Sequence, residues 1–271
     1  MSATSVPTQH EAEPEAVLQA TGIDMAFGGV KALSDVSITL RRGRWTGLIG
    51  PNGSGKTTLL NVLSGLYRPS AGSIVLSGET LSGASPRELS RRGVVRTFQH
   101  PQFAEGLSVF DNVLLGTDLR HRRRSLPATE QRLLVERAVH LLEVFGCWDF
   151  ADHLPSEAPY GARKLAEIAR AVLADPVVLL LDEPAAGLSR EERAELIGSL
   201  KSVREESPEL AVCLIEHDVR LVAAACEAMQ ALNFGKVIAA GTSQEVLANE
   251  DVKVAYLGKS ASRHQRNDDE S

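Results

Sequence analysis

The 271-residue sequence predicts an α/β fold, and three observations carry that reading. A short apolar stretch, Trp45 to Ile49, runs into Gly50-Pro51-Asn52-Gly53-Ser54-Gly55-Lys56-Thr57 and then into a helical pattern from Thr57 to Leu66. Strand, glycine-rich loop and helix in that order, with the spacing Gly, four residues, Gly-Lys-Ser/Thr, form a P-loop. Val177-Val178-Leu179-Leu180-Leu181 is a continuous apolar run of strand length, as in a strand buried on both faces of a parallel sheet. From there to the C-terminal region, strand and helix patterns alternate.

Taken in order, Met1 to Glu15 is rich in Ser, Thr, Pro and Glu and lacks the basic start and apolar stretch of a signal peptide, so residues 1–16 are expected to be disordered. Val17 to Ala20 and Val36 to Leu40 read as strands flanking the glycine-rich Phe27-Gly28-Gly29, and Ser73 to Ser77, closed by Gly78, as a third. With the P-loop unit these make an antiparallel β subdomain. Pro86 to Arg92 reads as a short helix and Val94 to Phe98 as a strand ending at Gln99.

Beyond His100 the pattern turns helical. Ser108-x-x-Asp111 is a capping box before Val109, Val113 and Leu114. Between Ala128 and Phe145, apolar residues fall at Leu133/Leu134, Ala138, Leu141/Leu142 and Phe145, a 3.6-residue stripe stopped by Gly146. A third helix opens at Tyr160-Gly161 and runs through Leu165, Ile168, Ala169 and Val172. Residues 100–172 are therefore expected to form a helical subdomain inserted between strands of the P-loop core.

After the Val177–Leu181 strand, the sequence predicts a helix over Arg190 to Glu205, a strand over Leu210 to Ile215 and a helix over Val219 to Glu227. Strands near Met229–Asn233 and Lys236–Ala239 follow, then a last helix capped by Thr242-x-x-Glu245. The polar tail, 259–271, is expected to be disordered.

Composition narrows the function. With 43% hydrophobic and 24% charged residues the chain is ordinary for a globular protein, and its net charge of −6 argues against non-specific nucleic-acid binding. Against that balance stands one basic run, Arg120-His121-Arg122-Arg123-Arg124, read as a solvated loop with partner or lipid contact as the alternative. Cys147, Cys213 and Cys226 show neither disulfide nor zinc spacing. No apolar run approaches the ~18 residues that cross a bilayer.

The chemistry follows from the loop. Its glycines let backbone N–H groups turn inward around an anion, the next helix points its positive end there, and Lys56 adds a full charge where β- and γ-phosphates would lie. Thr57 is the candidate Mg²⁺ ligand. A glycine-rich turn that merely started a helix would not need Lys followed by Thr. Asp182 and Glu183 end the apolar strand, at the edge where open α/β sheets bind ligands; Asp182 can reach the same Mg²⁺ and Glu183 can orient or deprotonate an attacking water. Gln99, at a strand end where the helical insertion begins, can touch both metal and water. His217, after the strand ending at Ile215, can contact a γ-phosphate. Phe27 is the candidate to stack on adenine, with a core role as the alternative.

Together, Gly50 to Thr57, Gln99, Tyr160-Gly161, Leu181-Asp182-Glu183-Pro184, Ala185-Ala186-Gly187-Leu188-Ser189 and Ile215-Glu216-His217-Asp218 resemble an ABC-transporter ATP-binding subunit, over about 17–258. Arg96-Thr97-Phe98-Gln99, the run Ala166 to Ala171, Glu183 to Leu188 and Ala255-Tyr256-Leu257-Gly258 are most similar to the branched-chain amino-acid importer ATPases. The resemblance implies a RecA-like P-loop core and ATP with Mg²⁺ as ligands. It implies nucleotide contacts from Gly50 through Thr57 and Thr58, metal contacts from Thr57, Gln99 and Asp182, and catalysis by Glu183, His217 and Gln99. It also implies partners: permeases docking on the insertion after Gln99, a second ATP-binding subunit and, indirectly, a solute-binding protein, with the chain peripheral on the cytoplasmic face of the membrane.

Where the family carries Leu-Ser-Gly-Gly-Gln, this chain has Ala158-Pro159-Tyr160-Gly161-Ala162. The serine hydroxyl is absent and Pro159 lacks an N–H, each lost donor to a charged group weakening the contact by roughly 1.5–3 kcal/mol if unreplaced. Since such subunits pack head to tail, one subunit's P-loop against the other's signature, the departure favours a heterodimer over a homodimer. A lipid exporter ATPase and a soluble, non-transport ABC ATPase are the alternatives. A P-loop kinase or GTPase would leave Gln99, Tyr160-Gly161, Asp182-Glu183 and His217 as coincidences.

Overall fold

The computed structural model describes residues 14–117 and 126–256. Strands β1 (Ala16–Phe27) and β2 (Val30–Arg41) form an antiparallel hairpin through Gly28-Gly29. Both glycines have positive φ, 53° and 88°, as a tight two-residue hairpin turn requires. The strands outrun their apolar patches because the ladder continues to the turn. After β3 (Trp45–Ile49) and helix α1 (Lys56–Leu63), strands β4 (Ala71–Leu76) and β5 (Glu79–Thr80) complete a four-stranded sheet of order β2-β1-β4-β5.

The second sheet has fully buried strands at its centre. Helix α2 (Pro86–Arg91), N-capped by Ser85, leads to β6 (Val94–Arg96), shorter than the expected Val94–Phe98, although the Thr97 N–H still donates to the Leu180 carbonyl. Among the described residues, helices α3 (Val109–Leu114), α4 (Ala128–Val144) and α5 (Tyr160–Leu173) follow before β7 (Val178–Asp182) resumes the sheet. Then come α6 (Arg190–Glu206), β8 (Ala211–Ile215), α7 (Val219–Ala225), β9 (Ala228–Asn233), β10 (Lys236–Thr242), α8 (Ser243–Ala248) and a closing helix over 250–256. The order is β10-β9-β3-β8-β7-β6, parallel throughout except for the β9–β10 edge pair.

Every residue of β3, β7 and β8 is buried, and their side chains alternate between two cores. Leu179, Leu181, Val212 and Leu214 face the helical side with Phe145, Leu165 and Ile168, while Val178, Leu180, Cys213 and Ile215 face α1 and the first sheet. That is the two-faced burial a continuous apolar run implies. Because β3, β6, β7 and β8 run parallel, their C-terminal ends share one edge.

Several local expectations change. Leu133 is 60% exposed, and the stripe is fully buried only toward its C-terminal end, at Ala138, Leu141, Leu142 and the capping Phe145, where α4 packs on α5. The Ser108 hydroxyl accepts from the Asp111 N–H (3.0 Å) as a capping serine should, but an aspartate is one methylene shorter than the glutamate of a full box. At Thr242 and Glu245, by contrast, both halves of the box form. The 3.6-residue pattern overextends α7 by two residues, since the chain leaves the helix at Cys226. The run Arg120 to Arg124, the tail 259–271 and most of the N-terminal 1–16 lie outside the described residues.

Candidate functional site

The P-loop leaves β3 at Gly50, whose φ of 151° and close approach to Leu232 leave no room for a side chain. Gly53 and Gly55, with φ of 79° and 106°, supply the left-handed bends that turn N–H groups inward. Lys56 opens α1 with its side chain buried, and its Nζ donates to the carbonyls of Gly50 (2.7 Å) and Pro51 (3.0 Å). The ammonium therefore sits inside the loop, beside the cavity it would serve.

That cavity, about 410 Å³, is lined by Asn52 to Thr58 together with Ala32, Gln99, Glu183 and His217. Gly50 and Pro51 do not line it; they hold the Lys56 ammonium through their carbonyls. Three separate strand ends thus deliver Gln99, Glu183 and His217 to one opening, and the side chains touch. Gln99 Nε2 donates to Glu183 Oε2 at 3.1 Å, and His217 Nε2 lies 2.7 Å from Glu183 Oε1. Glu183 has a φ of +50°, a strained conformation for a residue other than glycine.

Thr57, Gln99 and Asp182 line a second cavity of about 470 Å³, which shares Thr57 and Gln99 with the first. A hydroxyl, an amide oxygen and a carboxylate form an oxygen-only set of the kind Mg²⁺ accepts. Among the described residues no cluster of three or more His, Cys, Asp or Glu is arranged for a metal. A cation bound here would take its other ligands from phosphate and water, as Mg²⁺ in phosphate sites does.

Three residues without an assigned role in the sequence reading complete the site. Arg96, almost fully buried, donates to Asp182 Oδ2 (2.8 Å) and Asn61 Oδ1 (2.6 Å), so the Asp182 charge is paired inside the protein. Glu216 accepts from the Ala185 N–H (2.6 Å) and the His217 N–H (3.2 Å), tying the loop after β7 to the loop after β8; burial pushes its carboxyl pKa up. Lys164 on α5 is fully buried and donates to the carbonyls of Phe98 (2.8 Å) and Gln99 (2.7 Å), with its pKa drawn down by burial. The available signal was Lys164's place one turn before Ile168 on the apolar face of α5, where a lysine needs a partner.

Phe27 lies at the hairpin tip, partly exposed and edge-on to Tyr67 with ring centroids 5.3 Å apart; it does not line either cavity. Tyr160 and Gly161 open α5 and do not line the cavity of their own P-loop; the Tyr160 hydroxyl makes a long contact to the Gln99 carbonyl (3.4 Å). Pro159 is the N-cap and makes no side-chain cap bond. A Cβ at Gly161 would collide with the Glu192 carboxylate.

The chain matches the family described as ABC transporter over residues 33–186, and the one described as branched-chain amino acid ATP-binding cassette transporter over 236–262. It is 38% identical over 251 residues to the high-affinity branched-chain amino acid transport ATP-binding protein LivG of Salmonella typhimurium, covering 90% of this chain and 98% of that one. The corresponding protein BraF of Pseudomonas aeruginosa is 36% identical with the same coverage. The lipopolysaccharide export system ATP-binding protein LptB of Haemophilus influenzae is 33% identical over 243 residues, covering 90% of this chain and 98% of that protein. Among solved structures, an ATP-binding cassette of an ABC transporter in its ADP conformation superposes with a TM-score of 0.76 at 29% identity, covering 90% of this chain and 99% of the other. A nucleotide-free cassette gives 0.76 at 30% identity, with 89% and 99% covered.

Proposed function

The chain belongs to the ABC transporter family of ATP-binding proteins and is an ATPase; from that premise we propose that it powers an importer for branched-chain amino acids or similar small polar solutes. The observation that carries the hydrolytic assignment is the Glu183 carboxylate at the mouth of the P-loop cavity, bonded by Gln99 at one oxygen and His217 at the other. The import assignment draws on the match over 236–262 and on the likeness to LivG and BraF.

On this reading Lys56 exchanges the Gly50 and Pro51 carbonyls for the β- and γ-phosphates, and the loop N–H groups close around them. Thr57, Gln99 and Asp182 would hold Mg²⁺ with the phosphates, and the ion would supply charge neutralisation at the phosphate oxygens. Glu183 orients the attacking water and takes its proton. Both Glu183 oxygens are engaged in this arrangement, so water gains the carboxylate when Gln99 or His217 gives up its bond. Gln99 is coupled to the helical layer, to which Lys164 fastens its carbonyl. His217, half-exposed, is free to turn to the γ-phosphate, and Phe27 stacks on the adenine.

Permeases dock against the insertion, at a largely apolar groove of about 520 Å³ bounded by Leu66, Val95, Phe98, Leu115 and Ala171. Among the described residues no helix is long and apolar enough to cross a membrane, and the chain acts peripherally on the cytoplasmic face, with a solute-binding protein delivering cargo across from it. The N-terminal N–H groups of α5, with Tyr160 and Gly161, face a second subunit's nucleotide. The Pro159 cap adds no donor there, so a partner with a serine-bearing signature completes the better site.

Two measurements test this. Cells lacking the chain are expected to lose uptake of labelled leucine and regain it on complementation; unchanged uptake, with a defect in outer-membrane lipid instead, would favour the exporter reading that the LptB likeness keeps open. The chain alone is expected to turn over slowly and Pro159→Ser to accelerate it several-fold, whereas fast turnover indifferent to the substitution would rule out the heterodimer.

A further inference from the structure

Gly50, the first residue of the phosphate loop, is gripped from three sides. Its carbonyl accepts from Lys56 Nζ, a Cβ would run into the Leu232 carbonyl, and its N–H donates to the Tyr256 hydroxyl at 2.8 Å. The first two contacts come from the loop and the adjoining strand. The third comes from a residue 206 positions away, on the closing helix over 250–256.

The course of the chain makes that contact a defined one. The Thr242–Glu245 capping box starts α8, and Asn249 Oδ1 accepts from the Asp251 N–H (2.8 Å) and the Val252 N–H (3.3 Å) to start the closing helix. Val246 and Val252 are buried beneath these two helices, and the Tyr256 ring packs against the same core. The tyrosine is therefore anchored by its helix and its ring, and only its hydroxyl reaches the loop.

We propose that Tyr256 is a positioning residue of the nucleotide site: its hydroxyl fixes the peptide at which β3 becomes the phosphate loop. The N–H groups downstream then stay arranged for phosphate when Lys56 exchanges the Gly50 carbonyl for the nucleotide. Gly50 is the position that most needs such a hold. It ends the β3 ladder, its glycine backbone has the widest conformational freedom, and its N–H would otherwise be a buried donor without an acceptor. Gly50 does not line the cavity, so the bond to Tyr256 competes with no phosphate contact.

The inference rests on the P-loop's binding nucleotide, which the wild-type full chain tests by itself through titration with fluorescent ADP without Mg²⁺. Tyr256→Phe removes only the hydroxyl. The expected result is affinity weaker by about fivefold, faster exchange of the Gly50 amide hydrogen with other amides unchanged, and a nucleotide-free melting temperature lower by no more than about a few degrees. In turnover KM is expected to rise while kcat holds. Wild-type affinity in Tyr256→Phe would overturn the proposal. So would weaker affinity accompanied by faster exchange throughout the chain, which would mean a merely structural tyrosine.

Discussion

Glu183 concentrates the residue-scale chemistry. Its strained backbone, its position one residue past the buried end of β7, and its two hydrogen-bond partners all hold one carboxylate at the cavity mouth. Glu183→Gln keeps the volume and one acceptor oxygen but removes the base, so kcat is expected to fall roughly 100- to 10,000-fold. Nucleotide affinity should stay within a few-fold, since Lys56 and the loop are untouched; turnover set beside fluorescent-nucleotide binding checks the pair. Neighbouring residues divide according to whether their role depends on sequence spacing or on tertiary contact. Lys56, Thr57, Asp182 and Glu183 were legible because a short motif fixes their local geometry. Arg96, Glu216 and Lys164 were not, because each acts through a contact with residues remote in sequence, and nothing in the one-dimensional pattern says that Arg96 meets Asp182.

At the scale of elements, α5 joins the helical layer to the site. One face packs on α3 and α4, while Lys164 and Glu167, fully buried, reach the segment after β6. Glu167 Oε1 accepts from the Gln102 N–H at 3.3 Å, and burial raises its pKa above the ordinary 4.5 against the lowering pull of Arg170 and Lys164. A raised folded-state pKa gives stability that is present below the unfolded value and lost as pH rises through the folded one. Glu167→Gln does not titrate. The melting temperature of the wild type relative to Glu167→Gln is therefore expected to decline as pH is raised from about 4.5 toward neutrality. A rise over that range would mean that Arg170 and Lys164 outweigh burial. The exposed Leu133 shows the limit of reading elements from periodicity: a stripe gives the face a helix could bury, and only the neighbouring helix decides how much of it is covered.

In the whole molecule, the parallel sheet separates two cores, and the cysteines are divided between them. Cys147 and Cys226 lie on the helical side and Cys213 on the other. Burial pushes the Cys147 and Cys226 thiols up to about 12 and raises Cys213 as well, so thiolate is scarce at ordinary pH. Alkylation by iodoacetamide at pH 8 is expected to be negligible in the native protein and to appear at all three positions together as denaturant unfolds it. Selective early reaction of Cys147 and Cys226 would mean instead that the helical side opens before the other core.

The sequence by itself determined the α/β class, the P-loop, the acidic strand end and the two other strand ends that carry Gln99 and His217. Each of these depends on local spacing: glycines where φ must be positive, an apolar run where both faces are covered, a polar residue where a strand stops. Only the tertiary structure decided that Glu183 is held between Gln99 and His217, that Arg96 neutralises Asp182, and that Tyr256 reaches back to Gly50. Those contacts exist because parallel pairing brings the C-terminal ends of β3, β6, β7 and β8 to one edge, and the chain's last described helix packs where that edge meets the phosphate loop. Strand order and register across more than two hundred residues are set by packing between surfaces, which no local stretch of sequence encodes alone.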